Sequence, residues 1–252
     1  MLIASWVNGV KSNTISIQDR GFSFGDGLFE TMRIYKQQIP LIDRHFQRLA
    51  FDLKKIGISI DCDELRKNCT EIAKGQLNAT LKIIVTRGES AIGYGVTTNT
   101  TPTIAIILYE RLKNKDANTQ SGIKVYRCNT RLAKQPLLAG LKHLNRLEQV
   151  LAKQEIDQAG YKEGLLLDTD DNIIEGVMSN LFLYTGTKFI SPCLSQSGVS
   201  GVQRHFLIDQ ISAMDMTLTE ECVTNEMLKN ANEVFLCNSS YGIWPVTEYA
   251  NV

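Results

Sequence analysis

Gly140-Leu141-Lys142-His143-Leu144-Asn145-Arg146-Leu147-Glu148-Gln149 is the stretch around which the rest of the chain is organised. Leu144, Leu147, Val150 and Leu151 recur at helical spacing, with Asn145, Arg146, Gln149 and Lys153 on the other side. The spacing therefore predicts a helix opening here, its apolar stripe turned to a core. Lys142 then falls in or just before the first turn. A cation there faces the positive end of the helix dipole, at a cost of roughly a few tenths of a kcal/mol. The reason for a lysine at that place is sought in the residues that follow it.

Outward from this stretch, the 252 residues are enough for one large core or two modest ones. The 27 basic and 27 acidic side chains cancel, so no net field recommends nucleic acid or an anionic membrane as partner. The longest apolar runs, such as 104–109, are strand-length and too short to span a bilayer. No basic region followed by an apolar block opens the chain, so no secretory signal is expected. Six cysteines without a CxxC pair predict reduced thiols and a cytoplasmic protein. The three histidines lie far apart without zinc-ligand spacing, and no metal is assigned.

Taken in order, Asn8-Gly9 between candidate strands at 2–7 and 10–17 predicts a hairpin, because both central residues of a type I′ turn need positive φ. Residues 19–27 hold three glycines and two aromatics and read as a loop. A strand follows at 28–35. A helix runs from an N-cap at Asp43 to Gly57, with His45 and Arg48 on one face. A second helix spans 63–74, and strands lie at 81–86 and 103–109. Residues 113–122 are polar and predict an interdomain linker. Beyond it, strands are expected at 123–128, 165–168, 173–175, 181–184, 189–190, 233–237 and 243–246, and a helix at 202–214. Strands outnumber helices and do not alternate regularly with them. The fold class is therefore α+β with mixed sheets, in a smaller α+β domain (1–112), the linker, and a larger β-rich domain (123–252).

Chemistry-bearing residues gather downstream of Lys142. Glu175 stands between Ile174 and Gly176 at a strand, with Ser179 and Asn180 close behind, where a core strand should be apolar. Residues 197–204 put glycines and free amides at a helix N-terminus, a ready anion site. Asn238, Ser239 and Ser240 end a strand with more polar groups. One lysine, one arginine on a helix face, one acid and backbone sites for an anion form the set that pyridoxal phosphate requires.

Arg20-Gly21, Phe24-Gly25-Asp26-Gly27-Leu28-Phe29-Glu30-Thr31, His45-Phe46-Gln47-Arg48-Leu49, Arg87-Gly88, Lys142, and the segments 175–182 and 198–204 together resemble the fold-type IV pyridoxal-phosphate enzymes. That family includes branched-chain and D-amino acid aminotransferases and 4-amino-4-deoxychorismate lyase, and the resemblance covers nearly the whole chain. It implies that the larger domain carries the cofactor lysine, Lys142, that Arg48 binds the phosphate, and that Glu175 faces the pyridine nitrogen. It implies further cofactor contacts from Ser179, Asn180, Gly201, Val202, Gln203, Ser239 and Ser240, and substrate contacts from Phe24, Phe29, Arg87 and Tyr94. A homodimer is implied too. The segment 139–151 and Gly93-Tyr94 are most similar to the lyase branch, which splits 4-amino-4-deoxychorismate into 4-aminobenzoate and pyruvate on the way to folate. The Arg-x-His carboxylate trap of D-amino acid aminotransferases is absent. Two positions depart from the lyase pattern: Ile92 stands where an arginine is usual, and Glu30 where a threonine is. Arg87 and Arg131 are the expected substitutes for the missing carboxylate partner.

Overall fold

The computed structural model describes residues 1–90, 93–96, 100–111 and 117–250. It divides into two compact units, Met1–Leu112 with Lys142–Asn145, and Lys113–Leu141 with Arg146–Val252. The lysine expected in the larger domain therefore counts with the first unit. Of the expected linker, residues 113–116 lie outside the described residues, and Ala117–Ser121 forms a short helix.

Unit 1 is an antiparallel five-stranded sheet. Its strands are β1 (Leu2–Val7), β2 (Val10–Lys11), β3 (Gly27–Tyr35), β4 (Asn78–Thr86) and β5 (Thr103–Glu110), in the order β2-β1-β5-β4-β3. Asn8 and Gly9 take φ of 49° and 79°, as the hairpin requires, although β2 keeps only two paired residues. The glycine-rich segment is not a plain loop. It holds α1 (Arg20–Phe24), capped by Asp19 and closed by Gly25 at φ 65°. α2 (Ile42–Ile56) and α3 (Cys62–Lys74) pack on the sheet through Phe46, Leu49, Leu53, Leu65 and Cys69, which bury Leu28, Met32, Leu81, Ile83 and Val85. Asp43 does not cap α2. It lies in the first turn and pairs with Arg66, while Leu41 occupies the cap at φ 57°.

Unit 2 holds α4 (Ala117–Ser121), β6 (Ile123–Leu132), α5 (Leu147–Gln158), β7 (Glu163–Asp168), β8 (Ile173–Gly176), β9 (Asn180–Tyr184), β10 (Lys188–Pro192), α6 (Val202–Ala213), β11 (Thr217–Glu221), α7 (Asn225–Asn230), β12 (Glu233–Asn238) and β13 (Gly242–Ala250). The eight-stranded mixed sheet runs β11-β10-β9-β12-β13-β6-β7-β8, and β8 also pairs with β9, so six strands close on themselves. The closing pair is Glu175 and Asn180. Strand side chains alternate between two buried faces. Leu165, Leu167, Leu181, Leu183 and Leu236 share one core, while Leu166 meets Ala152 and Ile156 of α5, and Phe182 meets Ile211 of α6. That double burial explains why Leu165, Leu166 and Leu167 of β7 are all apolar instead of alternating.

α5 begins only at Leu147, and its buried residues are Ala152 and Ile156. Leu147, Val150 and Leu151, the expected core stripe, are exposed. β11, α4 and α7 were not anticipated, because each is short and half polar.

Candidate active site

In unit 1, β3 is an edge strand, and residues 142–144 pair with its start. The Phe29 N–H donates to the Lys142 carbonyl at 3.0 Å and the Leu144 N–H to the Gly27 carbonyl at 3.0 Å. An open edge offers unpaired backbone groups, and this pairing takes Lys142 out of the helix that periodicity predicts. The Lys142 N–H donates to Asp52 Oδ2 at 3.1 Å. Its Nζ lies 4.2 Å from the centre of the Phe29 ring. Lys82 on β4 reaches the same ring, its Nζ 5.2 Å from the centre. Burial lowers the Lys82 pKa, and no carboxylate among the described residues pairs with it.

Arg48 Nε and Nη2 donate to Glu30 Oε1 and Oε2 at 2.7 and 2.6 Å. His45 Nδ1 lies 2.7 Å from Glu30 Oε2. Burial pushes the Glu30 carboxyl up, but the Arg48 charge and the His45 hydrogen bond outweigh it and hold the group at about 2. The acid that stands in place of a threonine is thus an anchor for Arg48.

Arg87, expected at the substrate, is engaged within unit 1. Its nitrogens are committed to Asp26 and to the carbonyls of Ile56 and Gly57, which makes it a brace at the end of α2. Arg131, in unit 2, is likewise committed, to Asp171 and the carbonyls of Cys128 and Asn129. Phe24 and Tyr94 face one another with ring centres 5.3 Å apart. Ile92 lies outside the described residues.

In unit 2, four stretches converge where β8 closes on β9. Glu175 is buried and its Oε2 accepts the Val199 N–H at 2.8 Å. Asn180 Nδ2 donates to the Val199 carbonyl at 2.8 Å, and Asn238 Nδ2 to the Met178 carbonyl at 2.9 Å. The turn holding Ser239 and Ser240 is fixed by Asn238 Oδ1, which accepts the Ser240 and Tyr241 N–H groups at 2.9 and 3.0 Å. Gly140 and Val199 form a parallel bridge. Ser179 turns inward, its hydroxyl 3.2 Å from Glu163 Oε2. Burial raises that Glu163 carboxyl to about 7, against backbone donors from Gly164, Val177 and Met178.

α6 starts at Gly201 without a side-chain cap or an acid in its first turn, so the amides around Val202 and Gln203 are presented at the positive end of a twelve-residue helix. A Cβ on Gly201 would collide with Asn180 Oδ1, and one on Gly198, at φ 86°, would lie 3.3 Å from Glu175 Oε2. Both glycines are thus required by close packing, Gly201 against Asn180 and Gly198 against Ile174 and Leu194 as well. Unit 2 by itself offers an uncapped helix start, suited to an anion, beside a buried acid. Unit 1 by itself offers the Lys142 amine and an anchored guanidinium.

Asp52, Lys82 and Glu163 are the residues that the sequence reading missed. A carboxylate four places after Arg48 on the apolar face of α2, and a lysine between Leu81 and Ile83, were the available signals.

Among the described residues no helix is long and apolar enough to cross a membrane, and no cluster of three metal-ligating side chains occurs. The profile of the amino-transferase class IV family matches residues 27–249. An aminodeoxychorismate lyase of Vibrio harveyi is 33% identical over 243 residues, covering 96% of this chain and 90% of that one. The crystal structure of 4-amino-4-deoxychorismate lyase from Pseudomonas aeruginosa superposes with a TM-score of 0.94 at 40% identity, covering 98% of this chain and 91% of that one. A D-alanine aminotransferase of Bacillus licheniformis is 26% identical over 92% of this chain and 82% of its own.

Proposed function

The chain belongs to the class IV amino-transferase family, and from that premise we propose that it is a pyridoxal-phosphate-dependent aminodeoxychorismate lyase, forming 4-aminobenzoate and pyruvate. The observation that carries this reading is similarity to that lyase in both sequence and structure over nearly the whole of each chain. The absence of an Arg-x-His trap from the sequence also favours the lyase over D-amino acid transamination.

Bound pyridoxal phosphate supplies an electron sink for the pair released when a proton leaves the carbon bearing the substrate amine. Lys142 is the residue we assign to catalysis: its Nζ would hold the cofactor and, once free, would take the proton from that ring carbon. Loss of the proton and cleavage of the C–O bond to the enolpyruvyl group leave an aromatic ring and enolpyruvate, which becomes pyruvate on protonation. Phe29 keeps water from the face of the lysine amine. Arg48 and the amides of Gly201, Val202 and Gln203 would hold the phosphate. Glu175 would keep a proton on the pyridine nitrogen, because a carboxylate beside that cation favours its charged form. With Arg87 and Arg131 committed elsewhere, Lys82 is the cation we assign to a substrate carboxylate.

We also assign a cytoplasmic homodimer. Support comes from the unpaired cysteines and from the exposed Leu147, Val150 and Leu151, which share one face of α5 at helical spacing and suit a second copy. The test is incubation with 4-amino-4-deoxychorismate without any keto acid. Pyruvate release supports the lyase; turnover only with D-alanine and 2-oxoglutarate replaces it with a transaminase.

A further inference from the structure

α2 carries three ionisable side chains on its buried face, His45, Arg48 and Asp52, spaced three and four residues apart. Glu30 accounts for the first two. Asp52 is different: it reaches across ninety residues of sequence to a main-chain group, the N–H of Lys142, at 3.1 Å. That peptide is gripped on its other side by Phe29, whose N–H donates to the Lys142 carbonyl at 3.0 Å. The lysine Cα is therefore held between the helix and the edge of the sheet, and its side chain is directed over the Phe29 ring.

We propose that Asp52 is a positioning residue of the reaction: by accepting the peptide N–H of Lys142 it fixes the place from which Nζ attacks. It acts through the lysine backbone, and the proposal rests on the reading of Lys142 as the cofactor lysine. A carboxylate acceptor shortens and strengthens a hydrogen bond relative to a neutral one, and a misplacement of about 1 Å can cost on the order of a hundredfold in rate. The grip is also sensitive to protonation. Burial raises the Asp52 carboxyl to about 6, offset by the Lys142 N–H, Arg48 and Lys55, and reinforced by Glu30. Arg48 and Lys55 share its helix, Glu30 faces it from β3, and Lys142 brings the peptide dipole.

The experiment compares wild type, Asp52→Ala and Asp52→Asn, each stripped of cofactor and recoloured with pyridoxal phosphate across pH 5 to 8. The rate at which the visible band of the lysine-bound cofactor returns is followed, together with kcat and KM. Asp52→Ala is expected to recolour at least about tenfold more slowly and to lose kcat rather than KM. Asp52→Asn keeps an oxygen acceptor and is expected to restore most of the rate at neutral pH, and to keep the dependence set by the lysine amine while losing the change near pH 6 that wild type shows. Should Asp52→Ala not fold, loss of that change in Asp52→Asn carries the test. An alanine variant that recolours at the wild-type rate overturns the proposal, as does an asparagine variant that is as slow as alanine or keeps the change near pH 6. A wild type that never colours overturns the reading of Lys142 as well.

Discussion

Glu30 grips Arg48 with both carboxylate oxygens, Oε1 on Nε at 2.7 Å and Oε2 on Nη2 at 2.6 Å, and shares Oε2 with His45. A fork held at two points is fixed in orientation, which is what a phosphate-binding arginine requires.

Replacing the acid should therefore affect both stability and cofactor affinity. Holding the Glu30 carboxyl at about 2 instead of 4.5 amounts to as much as about 3 kcal/mol. Because this pKa is depressed, the contribution is present above pH 4.5 and is lost as the pH falls through 2. Urea unfolding of the apo-protein should find Glu30→Gln less stable by that order at pH 7, with the gap closing in acid. Pyridoxal phosphate should also dissociate from it more readily in a spectroscopic titration.

Glu163 has the opposite sign. Its carboxyl is raised from 4.5 to about 7 by complete burial, so the stabilising contribution of the protonated form is present below pH 4.5 and is lost as the pH rises through 7. Between pH 5 and 8, Glu163→Gln should gain on wild type by up to about 3 kcal/mol in the same unfolding assay. A gap that stays level across that range sinks the assignment.

Lys82→Met should spare the colour of the protein and damage substrate use. Loss of a charge-assisted hydrogen bond to a carboxylate is worth about 1.5 to 3 kcal/mol, or roughly ten- to a hundredfold in kcat/KM. An equal loss of cofactor affinity would show that Lys82 serves the cofactor instead.

At Gly201 the constraint is space, since its φ of −70° suits any residue. A methyl group there meets Asn180 Oδ1, so Gly201→Ala must shift either the asparagine or the first turn of α6. The expected result is at least about a tenfold weaker affinity for pyridoxal phosphate, with little change in melting temperature of the apo-protein.

Much of this molecule was written locally. Positive φ at Asn8 and Gly9, the apolar period of α2 closed by Gly57, and the amides after Gly201 follow from short-range rules, and each is found where those rules put it. Lys142, Arg48 and Glu175 stand out in the sequence as charges in apolar or capped segments, but the roles expected of them came from the family resemblance and not from local pattern. By contrast, periodicity misplaced the segment around Lys142. Leu144, Leu147, Val150 and Leu151 keep helical spacing, yet residues 142–144 pair with the edge of β3, and Leu147, Val150 and Leu151 face outward.

The amino-acid order by itself determined most element types, the α+β class and the kinds of reactive group present, since those depend on neighbours three or four residues away. Only the tertiary structure decided which groups are engaged. Arg87 became a brace, Glu30 an anchor for Arg48, and Asp52 a support for a peptide ninety residues distant. The physical reason is that a buried charge must find its partner wherever the fold brings one, and that partner is set by strand order and packing, which no local pattern encodes.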